Sequence, residues 1–458
     1  MKKIFLLICA LSAVSCSQTQ EKISETSIVI TNANIVDVTD GSILEKHQIV
    51  IDSGKIKRIA LEIKNLQKYT TIIDGTGKYI IPGLAEMHAH IPPPSTQETR
   101  INETLFLYLS NGITTIRGML GHPSHLVLRE KAKSGEILSP RIFTSSPSLN
   151  GNSIKTIAEA IEKVTTYKKD GYDFLKMHPG IKLDVFNTVV ETAKKVDISF
   201  AGHVPVDVGV RHAIKSGYAS IDHVDGFLEG LVPKSKNVNP SDNGFFGYNF
   251  TPLADTSAIE DLVSLAREHQ VWIVPTQSLY ERWFAPIPAD ELLKDPEMKY
   301  MPVSTLENWK QRKNQYTVDN PNFNEEQWQQ FNAIRRQLIK RLQENGHGML
   351  LGSDAPQLFN VPGFSIHHEI KGMIGAGLSP LEILQSGTMN PATYVGMEGV
   401  FGQVKEGFIA DIVVLNANPL DDIKALKQIS GVMVKGTWIS KATIDEKLAR
   451  IADNALKN

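Results

Sequence analysis

The stretch IIPGLAEMHAHIPPP, residues 80–94, sets two histidines two positions apart behind an apolar run. On a β-strand alternate side chains share a face, so His88 and His90 point the same way. Two imidazoles on one face can chelate a metal ion, although an isolated His-x-His also arises by chance. Four other residues bear on the question. Lys176 in YDFLKMHPG, His203 in ISFAGHVP, His223 in ASIDHVDG and Asp354 in MLLGSDAP each stand where a short apolar run gives out. The chain has 13 histidines, and four of them occupy such ends; His47, His269 and His347 fall in turn or helix-end contexts. Imidazole and carboxylate donors suit a borderline ion such as Zn²⁺. Such an ion makes a water acidic near neutral pH, and a second ion can polarise a scissile carbonyl. Asp354 suits the double role of ligand and of base that takes the water's proton and hands it to the leaving group. Lys176 is the odd member. Burial and nearby positive charge lower a lysine pKa and expose a neutral amine. That amine can take up CO₂ as a carbamate able to bridge two ions; the plainer alternative is a strand lysine paired with a carboxylate.

Only a particular scaffold would bring residues so far apart in sequence to one place. Eight short apolar runs, at residues 84–90, 113–117, 141–145, 173–177, 198–203, 219–223, 271–276 and 349–354, alternate with helical patterns such as 158–169, 185–196 and 258–269. Repeated strand–helix units of this number predict an α/β fold, a (β/α)₈ TIM-like barrel, whose active site lies at the carboxyl ends of the strands. Strand-rich segments with turn pairs Asp40-Gly41, Ser53-Gly54 and Asp74-Gly75 precede the barrel, and similar segments follow it. They predict a small β-sandwich built from both termini. The expected division is a composite β-domain from residues 28–82 plus 399–440, a barrel over 83–398 and a C-terminal helix over 441–458. Residues 278–322, rich in Pro, Trp and Tyr, read as a long irregular insertion after the seventh strand, a lid or substrate wall.

The first residues read differently. Met1-Lys2-Lys3, a short apolar run and Ala13-Val14-Ser15-Cys16 predict a signal peptide over 1–15, with a polar tether over 16–27. The small residues before Cys16 resemble a bacterial lipoprotein cleavage site, which implies acyl chains on Cys16, a membrane anchor and export to the periplasmic or cell-surface side. Cys9 and Cys16 are the only cysteines, so the mature domain has neither a disulfide nor a thiol ligand. A formal net charge of −2, without a strongly basic run, argues against a nucleic-acid partner.

The ordered set His88-x-His90, Lys176, His203, His223 and Asp354 resembles the binuclear members of the amidohydrolase superfamily, in particular the imidazolonepropionase-like and prolidase-like group. The likeness also runs through DGTGKYIIPGLAEMHAH, NGITTIRG and SGTMNPATYVGMEGVFGQVKEGFIADIVVLNANPL. It implies that His88, His90 and Asp354 hold the more buried of two divalent ions, that His203 and His223 hold the other, that a carboxylated Lys176 bridges them, and that Asp354 is the catalytic acid/base. The implied reaction is hydrolysis of a C–N bond, in an amide or small peptide. A lactone, cyclic amide or phosphotriester is the alternative, and a metal-holding surface binding protein a more distant one. One departure stands out. Peptidase-like relatives carry a Gly-Gly-His after the third strand, where this chain reads SSPSLNGNS, residues 145–153. Substitutes for a substrate-polarising group are His178 and Asn150.

Other residues carry weaker expectations. Arg117, at the end of the second run, suits a substrate carboxylate or a neighbouring acid. Tyr280, Arg282 and Trp283 suit a substrate wall or mere packing. His122 and His125 suit a loop or helix-cap role better than a place facing the pocket, and one of His367 and His368 is a candidate neighbour of the site. Residues 325–345 read as a solvated helix. The sequence leaves the oligomeric state open.

Overall fold

The computed structural model describes residues 27–93 and 96–457. The expected signal peptide, Cys16 and nearly all of the tether lie outside the described residues. Ser27, the last tether position, is buried, and its carbonyl accepts a hydrogen bond from the Thr70 N–H at 3.1 Å.

The strands run in chain order as follows: β1 Ile28–Val36, β2 Ile43–Asp52, β3 Lys55–Ala60, β4 Thr71–Asp74, β5 Tyr79–Pro82, β6 Leu84–Ala89, β7 Ile113–Gly118, β8 Arg141–Thr144, β9 Leu175–Met177, β10 Phe200–Gly202, β11 Ser220–Asp222, β12 Trp272–Val274, β13 Gly348–Met349, β14 Ile412–Leu415, β15 Ile429–Val434 and β16 Thr437–Ser440. Strands β6 to β13 fall on the eight apolar runs and are joined through helices. The helix Leu183–Val196 is typical: it buries Val185, Phe186, Val189, Val190 and Ala193, the stripe that a 3.6-residue period lays on one face. Ile157–Asp170 begins at a Thr156/Glu159 capping box and stops at Gly171, whose φ of 88° a side chain would resist.

These eight strands form two parallel sheets, β6-β7-β8 and β9-β10-β11-β12-β13, rather than one closed ladder. The seams are narrow. Ser145 bridges to Phe174 on one side and Ala89 to Ala355 on the other. The second seam adds backbone bonds from Met87 N to Leu351 O at 2.8 Å, Asp354 N to His88 O at 2.9 Å and His90 N to Ala355 O at 2.7 Å. Strand β13 is only two residues long, so the chain that follows it completes the contact as an irregular segment.

The terminal segments correct the expected sandwich. They form a single eight-stranded sheet, β16-β15-β14-β5-β1-β2-β3, with β4 also paired to β1. The register slips between Ile30 and Ala33 on β1, where Asn32 has φ 53°, and such a bulge bends a strand. The sheet curls until β3 meets the chain before β14, with Ile56 N bonded to Phe408 O at 2.9 Å. Ile30, Ile35, Ile49, Ile56, Ile80, Ile412 and Met433 fill the interior. The helix Lys441–Ala455 follows.

The insertion is less irregular than its composition suggests. It holds the helices Gln277–Glu281, Ala289–Leu292 and Val303–Tyr316, pinned by Phe284 and by Lys313. Among the described residues no helix is long and apolar enough to cross a membrane.

Candidate metal centre

His88 lies in β6 and His90 one residue past it. The seam just described ties their backbone to residues 354 and 355, which brings His90 Nε2 within 2.6 Å and His88 Nε2 within 3.4 Å of Asp354 Oδ1. Lys176 lies in β9 opposite Ala201 of β10. Gly202 makes room for it: a Cβ there would stand 3.0 Å from the Lys176 Cδ and 2.5 Å from the Met177 carbonyl oxygen. His203 and His223 follow β10 and β11 directly. Their rings lie 4.5 Å apart, and His223 is 4.5 Å from His88. All six residues thus meet at one rim.

The backbone at this rim is strained. His223, Val224, Thr276 and Asp354 all have positive φ, at 66°, 53°, 45° and 63°. Non-glycine residues reach that region at a cost, and such strain gathers at functional sites. Arg335 helps to hold it. From the helix Glu325–Asn345 it donates to the carbonyls of His223 at 2.9 Å and Pro275 at 3.3 Å, with its guanidinium 3.3 Å from the centre of the Tyr280 ring. The helix expected to be only a solvated face therefore also serves the interior.

Two of the imidazoles have an orienting partner on Nδ1. His203 Nδ1 lies 3.0 Å from Asp225 Oδ2, and His223 Nδ1 lies 2.8 Å from Thr276 Oγ1, which leaves Nε2 of both for a ligand. His88 Nδ1 stands 3.1 Å from Asp222 Oδ2, but out of line for a hydrogen bond. Burial, reinforced by neighbouring cations, holds the pKa of His88, His203 and His223 well below the usual imidazole value, so the rings are neutral donors. Burial also lowers Lys176 to about 8, against the pull of Asp222. Asp222 stays below the ordinary carboxylate range in spite of its burial, because Arg117 and Lys176 stabilise its anion.

The donor set fits a metal. Lys176 Nζ and Asp222 Oδ2 are fully buried, stand 3.9 Å apart, and have no hydrogen-bond partner among the described residues. Leaving two such groups unsatisfied costs several kcal/mol, so the polar centre is incomplete as protein alone. His88, His90 and Asp354 bring ligand atoms within 4.8 Å of one another. Asp295, Glu297 and His368 do the same, but there Arg282 occupies Asp295 at 2.7 Å and His368 occupies Glu297 at 2.6 Å, which makes that group an ion-pair network of the insertion.

Several expected substrate contacts lie elsewhere. Arg117 is wholly buried, and its guanidinium is spent on Met87 O, Ser220 Oγ, Tyr394 OH and Asp222 Oδ1, so it braces the centre rather than greeting a substrate. Tyr280 is buried too and bonds the His223 carbonyl at 3.3 Å. His122 caps the helix Pro123–Ser134 by accepting from Ser124 N. His125 is buried beside Pro92 O, and His367 contacts Asn111. His178 does join the centre, its ring stacked on His203 at 5.0 Å, with Asn150 close behind.

Sequence reading missed Phe246. Its ring lies 5.7 Å from His203 and 5.4 Å from His223, edge-on to Tyr280, on a backbone with φ 50° and ψ 46°. It sits in the long connection between β11 and the helix Ile259–Glu268. The only signal was the pair of aromatics between two glycines in NGFFGYN. Asp222, Asp225 and Thr276 were missed as well, although each lies within three residues of a strand end.

Residues 79–439 match the amidohydrolase family. Ochratoxinase from Aspergillus niger is 20% identical in an alignment that spans 89% of this chain and 85% of that protein. Among solved structures, a bottromycin amidohydrolase superposes with a TM-score of 0.70 at 20% identity, covering 94% of this chain and 91% of its own. A putative prolidase from Bifidobacterium longum gives 0.63 at 23% identity, covering 93% and 98%. These likenesses speak for the fold.

Proposed function

On the premise that the chain belongs to the amidohydrolase family and is a hydrolase of carbon–nitrogen bonds, we propose that it cleaves amide or peptide bonds in small molecules or small peptides with the help of two divalent ions. Zn²⁺ is the ion that the donors suit best. The observation that carries this reading is the convergence of four histidines, one buried lysine and Asp354, with Asp354 Oδ1 only 2.6 Å from His90 Nε2.

His88, His90 and Asp354 would hold one ion, and His203 and His223 the other. Bound there, the ions supply an acidified water and polarise the scissile carbonyl. The protein does the rest. Asp354 accepts the water's proton and returns it to the departing nitrogen. Lys176, as the neutral amine, would form an N–C bond to CO₂ and give its proton to solvent, and the resulting carbamate would add an anionic oxygen to the donor set. Asp222 sets a negative charge beside His88 and Lys176, and Arg117 balances it. Phe246 covers one side of the rim with an apolar ring and limits water there.

The test is metal analysis of the purified protein together with turnover on a panel of dipeptides, N-acyl amino acids, lactones, cyclic amides and phosphotriesters. Metal-dependent cleavage of amides supports the proposal. Cleavage confined to lactones or phosphotriesters reassigns the substrate, and metal binding without any turnover points to a surface binding protein. We further propose that the enzyme is exported and anchored through acyl chains on Cys16. Incorporation of labelled palmitate that is lost in Cys16→Ala tests this.

A further inference from the structure

The segment that departs from its peptidase-like relatives carries a directed chain of hydrogen bonds. Its backbone is locked to β9: Leu149 N donates to Lys176 O at 2.9 Å, and His178 N donates to Leu149 O at 2.8 Å. Gly151 lets the loop pack this closely, since a Cβ there would lie 2.3 Å from the Gly180 carbonyl oxygen. This register sets Ser148 and Asn150 beside the His178 ring.

The direction of each bond follows from the one before. Asn150 Oδ1 accepts two backbone N–H groups, from Asn152 at 2.8 Å and Ser153 at 3.0 Å, which fixes the amide orientation. Asn150 Nδ2 must then be the donor to Ser148 Oγ, at 2.8 Å. Ser148 Oγ makes no other hydrogen bond to a described residue, so His178 Nδ1, 2.7 Å away, is the one acceptor on offer for the hydroxyl proton. Nδ1 is therefore an acceptor, and the neutral ring carries its proton on Nε2. Nε2 makes no hydrogen bond to any described residue. The ring is only partly buried and stacks on His203 at 5.0 Å with 26° between planes. A fixed N–H donor thus stands beside the candidate metal centre with nothing among the described residues to receive it.

We propose that His178 Nε2–H donates a hydrogen bond to the substrate's carbonyl oxygen and to the oxyanion it becomes, and that Ser148 and Asn150 are positioning residues that set this tautomer. The proposal rests on the amide-hydrolase reading above. No proton leaves His178; the group stabilises charge that develops in the transition state. Removing one such donor lowers kcat by roughly 10²–10³-fold.

Asn150→Asp makes the decisive variant because it is isosteric. One carboxylate oxygen keeps the two backbone bonds. The other now accepts the Ser148 hydroxyl proton, so Ser148 Oγ must accept from His178 Nδ1–H, and Nε2 loses its hydrogen. The experiment labels histidine with ¹⁵N in the full metal-loaded protein, assigns His178 by its loss in His178→Gln, and reads the tautomer from long-range ¹H–¹⁵N spectra. Kinetics on the best amide of the panel run alongside. We expect an Nε2–H ring in the wild type and an Nδ1–H ring in Asn150→Asp. We also expect kcat to fall roughly 10²–10³-fold in Asn150→Asp and His178→Ala, with KM nearly constant. Gln at position 178 offers an amide N–H at a similar reach and should recover much of the loss. In the double variant Ser148→Ala/His178→Ala the two changes should not add, as befits residues acting as one unit. A wild-type ring protonated on Nδ1 overturns the proposal, and so does His178→Ala with unaltered kcat on an amide that the wild type cleaves. If the wild type cleaves no amide, the underlying functional reading fails and takes the donor's role with it, whereas the spectrum reports the tautomer independently of activity.

Discussion

Asp354 carries two demands at once, since it faces His90 and sits on left-handed backbone with φ 63°. Asparagine tolerates that backbone as well as aspartate does, so Asp354→Asn removes the base without disturbing the turn. We expect kcat to drop by about 10²–10⁴-fold, while the melting temperatures of the two chelated, metal-free proteins stay close, measured by steady-state kinetics and calorimetry. Lys176→Ala tests a different property. The variant should retain less metal by elemental analysis and lose activity, and short carboxylic acids should restore part of it by supplying the missing anionic oxygen. Full activity without such acids would remove the bridging role. Glu369 provides a test of burial outside the metal centre. It accepts the Ser278 N–H at 2.7 Å, and burial raises its pKa to about 7. A carboxyl whose folded value exceeds its unfolded value favours the fold most below about pH 4.5, and that advantage fades as pH rises toward 7. Relative to Glu369→Gln, the wild type should therefore lose up to about 3 kcal/mol of stability between pH 4.5 and 8, as read by urea unfolding at each pH.

At the scale of elements, the aromatic insertion depends on one lysine. Lys313, on the helix Val303–Tyr316, donates to the carbonyls of Arg282, Trp283 and Ala285, each at 2.8 Å. Lys313→Met keeps the stem but orphans three nearly dry carbonyls, so it should cost about 3 kcal/mol, visible as a lower urea midpoint. The same element shows why some of the architecture was hidden. Strand ends that carry His88, His90, Lys176, His203, His223 and Asp354 were legible, because an apolar run followed by a chemically able residue is a local pattern. Arg335 was not, because a charged helix face reads as solvated, and only tertiary contact reveals that its guanidinium reaches the His223 carbonyl. Phe246 was hidden for a similar reason: its place depends on the path of a long connection, for which no periodicity speaks. Arg117 was legible as a rim residue but not in its role, since the neighbour that claims it, Asp222, belongs to a strand some hundred positions away.

For the whole molecule, metal binding and stability should be linked. An ion held by the folded centre alone stabilises the protein by about 3–4 kcal/mol at 100 to 1,000 times its Kd. Chelation should lower the melting temperature by several degrees, and added Zn²⁺ should return it. The alternation of runs predicted eight parallel strands, and eight are found, but the narrow seams and the curling of the terminal sheet depend on bulges and irregular segments that no alternation encodes. That terminal sheet has a consequence for how the protein is made. Strand β5 lies between β1, which emerges before it, and β14, residues 412–415, which emerges more than three hundred positions later. Throughout that interval one edge of Tyr79–Pro82 offers its backbone to any extended chain nearby. The nascent polypeptide must carry this sticky margin until residues 412–415 arrive, so its yield should depend on a holding chaperone, and cutting out residues 412–440 should make the protein aggregate.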